Sequence, residues 1–383
     1  MEIPFHRSYT TDDDIAGVVE TVRSGWLTMG PKTHEFENLF RQRVQAKHAV
    51  AVNSCTAALH LALRVIDLKP GEEVIIPSMT FAATGEVVCY FNARPVIVDV
   101  DRQTHNILPS EVEKHITSKT RAIIPVHFAG QPADMDEIIE MAQHYKLKVI
   151  EDAAHCHPSF YKGRPIGSIG DLTAFSFYAT KTLAAGEGGM ITTENDHYAE
   201  QLRVLRLHGI NKDAWKRYTR EGSWFYEVVE MGYKYNMTDI QASLGLTQLA
   251  KADLMWELRK KIAKRYNDAF GDLDEIITPT VREDRQTSWH LYVIKLNLER
   301  LKISRDEFIQ ELQNKGIKTS VHFIPMYRHP YYQKMFPVEW KNLPNSEWLY
   351  ERIISLPIYP GMTDEQIDYV IENIIHIAHA NRR

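Results

Sequence analysis

Short apolar runs alternate with helical patterns through the first two-thirds of the chain, at residues 49–53, 73–77, 95–100, 122–128, 148–151, 174–177 and 190–193. Several of them, such as Val96-Ile97-Val98 and Ile123-Ile124-Pro125-Val126, are apolar without alternation, which predicts strands covered on both faces. Strand and helix in turn imply an α/β fold with a mostly parallel sheet flanked by helices. From residue 239 to about 270 the period becomes helical, with Ile240, Leu244, Leu246, Leu249 and Leu254 on it, and predicts one long connecting helix. Beyond it the pattern gives a strand at 290–296, a helix at 304–315, a strand at 317–322 and a last helix at 363–378, the order of a smaller α+β domain. The expected division is therefore a large α/β domain over 1–250, N-terminal segment included, and a smaller α+β domain over 251–383. Thr363, followed by Asp364 and Glu365, is a good start for the last helix, since its hydroxyl caps free N–H groups and the carboxylates suit the first turn.

Composition narrows the partners more than the fold. Lys+Arg 45 against Asp+Glu 50 leaves a formal net charge of -5 in 383 residues, with no long basic run, so neither nucleic acid nor an anionic membrane surface is expected. The first residues, Met1-Glu2-Ile3-Pro4-Phe5-His6-Arg7, lack the apolar stretch of a signal peptide, and no run is long enough to span a bilayer. A cytoplasmic enzyme acting on a small molecule is the expectation. Cys55, Cys89 and Cys156 are too few and too irregular for a disulfide framework or a zinc site, and no metal is expected.

The candidate chemistry sits at the ends of the strand-like runs. Ser176-Phe177-Tyr178-Ala179-Thr180-Lys181 leads into Gly186-Glu187-Gly188-Gly189 and places a lysine in a turn between two strands. Glu151-Asp152-Ala153-Ala154-His155 closes another strand, and Asn53-Ser54-Cys55-Thr56-Ala57 opens a helix. These are the parts a pyridoxal phosphate (PLP) site needs: an amine for the aldehyde, a carboxylate for the pyridine nitrogen, and hydroxyls with a helix N-terminus for the phosphate. Lys181 fits the amine and the proton shuttle, and Asp152 fits the carboxylate, at the strand end where open α/β sheets place their crevice. Thr56 and Ala57, with Ser176, fit the phosphate; Phe81 fits a stacking ring, and His155 a contact to the ring face or its 3′-oxygen. Each has an ordinary alternative: a surface lysine, a capping aspartate or hydroxyl, a core aromatic, a buried histidine.

Taken in order, these motifs resemble the DegT/StrS-type sugar aminotransferases, fold-type-I PLP enzymes acting on nucleotide-linked keto sugars. The resemblance runs from Ser24-Gly25-Trp26-Leu27-Thr28-Met29-Gly30-Pro31 through Pro125-Val126-His127-Phe128-Ala129-Gly130 and Met231-Gly232-Tyr233-Lys234-Tyr235-Asn236-Met237 to Ser355-Leu356-Pro357-Ile358-Tyr359-Pro360. It implies Lys181 as the cofactor-binding lysine, Asp152 as the partner of the pyridine nitrogen, and Thr56, Ala57 and Ser176 as phosphate ligands. It also implies L-glutamate as amino donor, leaving as 2-oxoglutarate, and a homodimer with shared active sites, in cell-surface polysaccharide, lipopolysaccharide O-antigen or glycoconjugate synthesis. Members commonly send an asparagine after Gly-Tyr across to the neighbour's phosphate; here Lys234 holds that position and Asn236 lies two residues on, so both are candidates. Cys55 stands where glycine is usual. Trp26, Thr28, His322 and His329 are the candidates for the sugar, and Lys32, His208, Arg217 and Arg220 for the diphosphate. The short connection from Lys181 to Gly188-Gly189 resembles members that aminate C4, with C3 amination as the alternative and a regulatory, non-transaminating role as the more distant one. Relatives that dehydrate the sugar replace the lysine by histidine.

Overall fold

The computed structural model of the chain describes residues 1–211, 225–338 and 340–383. Thirteen strands are found there: β1 (His48–Val52), β2 (Glu73–Pro77), β3 (Arg94–Val98), β4 (Thr120–Ile123), β5 (Lys148–Asp152), β6 (Phe160–Tyr161), β7 (Arg164–Pro165), β8 (Leu172–Ser176), β9 (Gly189–Thr193), β10 (Ile276–Ile277), β11 (Arg285–Gln286), β12 (Tyr292–Leu296) and β13 (Ile353–Leu356). Seven of them form the main sheet in the order β1-β9-β8-β5-β4-β2-β3. β9 runs antiparallel to both β1 and β8, and every other pairing is parallel.

Burial on both faces explains the unalternating runs. Within β2, Val74 and Ile76 join the core on one side of the sheet while Ile75 joins the core on the other, and Val50 and Val52 are split from Ala49 and Ala51 in the same way in β1. The helices Cys55–Val65 and Ala82–Cys89 pack on the first side; Pro31–Arg43 and Met135–Tyr145 cover the second. Parallel strands leave their carboxyl ends on one edge of the sheet, and the segments after β2, β5 and β8 open there into a common crevice.

A separate antiparallel sheet, β10-β12-β13, lies under the helices Ala252–Phe270, Arg305–Asn314 and Asp364–Ala380. Ile3 is buried in that same core and bridges Ile317, so the N-terminal residues are tied to C-terminal elements. Ser304 and Thr363 each cap their helix through a reciprocal capping box.

Three expectations need correction. The helical stretch 239–270 is two helices, Asp239–Ala250 and Ala252–Phe270, meeting at Lys251, whose φ of -109° and ψ of 13° leave the helical region. The ammonium of Lys251 is engaged by Asp14 and donates to Thr11 Oγ1 at 2.9 Å, a tertiary contact that fixes the break. Residues 317–322 form no strand; Ile317 and Ser320 make only isolated bridges, to Ile3 and Ser355. β4 stops at Ile123, after which Phe128–Gly130 makes a single 3-10 turn with Ala129 at φ 56°.

Candidate active site

Three strand ends meet at Gly189. It pairs with Ser176 of β8 on one side and Val52 of β1 on the other, and its missing side chain admits the first residues of the helix Cys55–Val65. A Cβ on Gly189 would lie 2.5 Å from the carbonyl carbon and oxygen of Ser54. The sequence Gly188-Gly189 thus sets the helix start beside Ser176. Ser54 caps the helix, its Oγ accepting from the N–H of Ala57 at 3.1 Å.

The turn between β8 and β9 carries Lys181. Its backbone N–H donates to Tyr178 O at 2.9 Å, and Ala185 N–H reaches back to Phe177 O at 2.8 Å, while Gly186 takes the left-handed turn conformation at φ 78°. The N-terminal segment closes over this turn, where His6 Nε2 and Ser8 Oγ both donate to Ala179 O at 3.1 Å. Asp152, the last residue of β5, is buried. Its Oδ2 accepts from Thr84 Oγ1 at 2.8 Å and its Oδ1 from Ala154 N–H at 3.1 Å, with no ion-pair partner among the described residues.

Lys181 and Asp152 face one cavity of about 380 Å³, with Ser54, Thr56, Ser176, Phe81, His155 and His322 also in its wall. Burial drives the Lys181 amine down to about 8, against the pull of Cys55 and Asp152. Burial pushes the Asp152 carboxyl up, opposed by Thr84, Ala154 N–H and Lys181. The Cys55 thiol is raised well above its ordinary value by burial and by Asp152. A cleft that combines an amine with its basicity lowered and a buried carboxylate is the perturbed pair expected of chemistry rather than of packing.

Some sequence candidates stay outside this wall. Ala57 is buried behind Ser54 with its N–H already taken, and does not line the cavity. Trp26 and Thr28 are elsewhere: the indole N–H of Trp26 donates to Met29 O, and Thr28 O accepts from Asp239 N–H. The N–H groups of Gly30, Lys32 and Thr33 are occupied by the Asp239 carboxylate at 2.7–3.1 Å, which leaves no anion cradle at that helix start. Lys32 pairs with Glu20, and His208 and His329 do not line the cavity. Arg217 and Arg220 lie outside the described residues. Asn236 is buried beside β1, its amide donating to Met237 O, whereas Lys234 is exposed. Conversely, the cavity includes His6, Thr80, His290 and Phe323, which sequence reasoning missed because nothing in their spacing links them to Lys181, and Tyr178 and Thr180, which stand in the lysine's own motif but were given no role. Thr84 was missed as well; as the hydroxyl four residues beyond Thr80, it was legible only as a helix residue.

The donor set fits PLP. An unpaired buried carboxylate is relieved by a protonated pyridine nitrogen, an amine near neutrality accepts an aldehyde, and a helix start with the hydroxyls of Thr56 and Ser176 suits a phosphate.

Comparison with known proteins agrees. The profile of the DegT/DnrJ/EryC1/StrS aminotransferase family matches residues 8–375. An uncharacterized protein of Methanocaldococcus jannaschii is 53% identical over 380 residues, covering 99% of this chain and 98% of that one. The spore coat polysaccharide biosynthesis protein SpsC of Bacillus subtilis is 49% identical over 373 residues, covering 97% and 96%. Among solved structures, Spr1654 of Streptococcus pneumoniae, provisionally assigned as a sugar aminotransferase, superposes in its PMP form with a TM-score of 0.93 at 36% identity, over 99% of this chain and 100% of that one. The same protein is also known in a PLP form, with a TM-score of 0.92. With Lys181 and Asp152 in one cavity and the family profile spanning nearly the whole length, the chain belongs to the DegT/DnrJ/EryC1/StrS aminotransferase family and is a fold-type-I enzyme whose cofactor is pyridoxal phosphate.

Proposed function

We propose that this enzyme transfers the amino group of L-glutamate to the C4 ketone of a nucleotide-linked keto sugar, for cell-surface polysaccharide or glycoconjugate synthesis. The observation that carries the reading is the shared cavity of Lys181, Asp152 and the Ser54–Thr56 helix start, large enough for cofactor and a sugar ring together. The names of its relatives support the substrate class, since SpsC serves polysaccharide synthesis and Spr1654 is assigned to sugars. The short turn from Lys181 to Gly188 supports C4.

When bound, the cofactor supplies an electron-withdrawing ring that acidifies the carbon carrying the transferred nitrogen. Lys181 would hold the cofactor's aldehyde and, when its amine is free, Nζ would move the proton at the donor or sugar carbon; an amine drawn to about 8 exists partly as the free base near neutrality. Asp152, oriented by Thr84 and Ala154, would keep the pyridine nitrogen protonated. Thr56 and Ser176 would hold the phosphate, Phe81 would stack on the ring, His155 would meet its face or 3′-oxygen, and His322 would contact the sugar, since all of them line the one cavity. Water is kept out on one side by the N-terminal segment anchored at Ala179.

The exposed apolar run Val228, Val229 and Met231, and Phe81, which is 64% exposed at the cavity, support a homodimer with shared sites. Lys234, exposed beside that run, would then be the side chain to reach the neighbour's phosphate, while Asn236 is buried in its own chain. The test is product analysis: with L-glutamate, a 4-keto nucleotide sugar should give a 4-amino sugar by NMR and one equivalent of 2-oxoglutarate. Turnover of a 3-keto sugar alone would reassign the position.

A further inference from the structure

Among the described residues lining the cavity, Lys181 is the one lysine or arginine; Asp152 and Glu187 are acidic. An amino acid that enters to surrender its nitrogen brings at least one carboxylate, and Lys181 is committed to the cofactor. Within one subunit's described wall, the groups left to meet that carboxylate are histidines and hydroxyls.

His290 has the properties of such a donor. It lines the cavity, is 6% exposed, and its ring lies 4.4 Å from that of His155. Its Nδ1 is walled off without a partner. A buried N–H with no acceptor forfeits its hydration, so the proton belongs on Nε2, at the opposite edge of the ring. Burial, assisted by His155, Lys181, Arg259 and His322, holds the imidazole well below its ordinary value and therefore neutral.

The loop that delivers this ring is held at a cost. Trp289 adopts the left-handed conformation at φ 53°, unusual for a bulky residue. It is fixed by Trp256 Nε1 donating to Thr287 O at 2.8 Å, by Ser288 Oγ donating to His155 O at 2.6 Å, and by Arg259 Nη1 donating to Trp289 O at 3.1 Å, His290 O at 3.3 Å and Ile358 O at 2.8 Å. Arg259 is itself 1% exposed, its Nε has no partner, and no carboxylate pairs with it among the described residues. A guanidinium buried against carbonyls alone is expensive, and its field favours an anion nearby.

We propose that His290 binds the carboxylate of the incoming amino donor, donating from Nε2, while Arg259 supplies positive potential from behind the wall. This rests on the amino-donor reading above. It makes His290 a specificity residue for the donor half of the reaction and predicts little effect on nucleotide binding.

The test uses succinate, a dicarboxylate that cannot react, titrated by calorimetry into PLP-loaded wild type, His290→Phe and His290→Asn, with folding followed by thermal melting and loading by absorbance. Loss of a hydrogen bond to a charged group should raise the Kd for succinate about 10- to 100-fold in His290→Phe, and the amide N–H of His290→Asn should restore much of it. The half-saturating L-glutamate concentration should rise by the same factor, with UDP affinity unchanged. If His290→Phe does not melt cooperatively, His290→Ala takes its place. Unchanged succinate affinity in a folded, loaded variant, or a loss that falls on UDP instead, overturns the proposal alone. A wild type whose absorbance responds to no α-amino acid overturns the amino-donor reading as well.

Discussion

Gly189→Ala should empty the site of its cofactor without touching a single proposed ligand. The added methyl would lie 2.5 Å from the carbonyl carbon and oxygen of Ser54 and 2.8 Å from Cys55 N, all backbone atoms that cannot rotate away. Restoring van der Waals contact means parting β9 from the start of the helix Cys55–Val65 by about 1 Å. Overpacking of this kind costs ~1–3 kcal/mol in stability. The larger effect is functional, because the helix carries Thr56 while β9 is paired through Gly189 to Ser176 of β8, and hydrogen bonds to a phosphate do not stretch by that much. A displacement of this size is expected to weaken PLP binding on the order of 100-fold. The assay is titration of apo-protein with PLP, followed by visible absorbance, beside a thermal melt. Gly186→Ala is the control: Gly186, unlike Gly189, takes the left-handed conformation, but a Cβ there meets nothing within 4 Å. It should lose ~1–2 kcal/mol of stability and keep its PLP affinity. Wild-type PLP affinity in a folded Gly189→Ala, or an equal loss in Gly186→Ala, would refute this account of the cradle.

Two further predictions concern pH. With the Lys181 amine lowered to about 8, chiefly by burial, about a tenth of it is neutral at pH 7, so the rate of PLP capture should rise roughly tenfold to a plateau near pH 9; stopped-flow absorbance showing a rise that continues through pH 10 would mark an ordinary lysine. Glu37 is buried, which by itself raises its carboxyl, but the Arg206 guanidinium, His34 and Ala51 N–H together bring it down to about 2. A depressed carboxylate stabilises the fold above its unfolded value of 4.5 and loses that contribution, about 3 kcal/mol, as pH falls toward 2. Melting curves from pH 2 to 6 should therefore show a steep loss in that window that Glu37→Gln flattens, at the cost of lower stability at pH 7 from the unpaired Arg206.

The main sheet was legible because parallel strands must bury both faces, and runs such as Val74-Ile75-Ile76 carry that requirement in their composition. The helix starts at Ser304 and Thr363 were legible for a similarly local reason, a hydroxyl followed three residues later by Glu307 or Gln366. The break at Lys251 was not, since Ala250-Lys251-Ala252 reads as strong helix and only the distant Asp14 and Thr11 say otherwise. Residues 317–322 look like a strand, yet their partners Ile3 and Ser355 give them single bridges rather than a ladder. In the site, Lys181, Asp152, Thr56, Ser176, Phe81, His155 and His322 share one cavity, all but His322 from turns at strand ends or a helix start, where composition and chemistry coincide. His6 and His290 were hidden. They arrive from a terminal segment and a strained loop whose approach depends on tertiary contacts, through Ala179 and Arg259 respectively. The surroundings of Lys32 were hidden for the same kind of reason: Asp239, 209 residues away from Gly30, accepts from the N–H groups of Gly30 and Lys32.

The most direct test of the central claim is the visible absorbance of PLP-loaded protein, wild type beside Lys181→Ala, before and after L-glutamate. The account predicts a visible band in wild type that glutamate bleaches as 2-oxoglutarate appears, and no such lysine-linked band in Lys181→Ala. A band that survives loss of Lys181, or a wild-type band that glutamate leaves untouched, would contradict the assignment of the lysine or of the amino donor respectively.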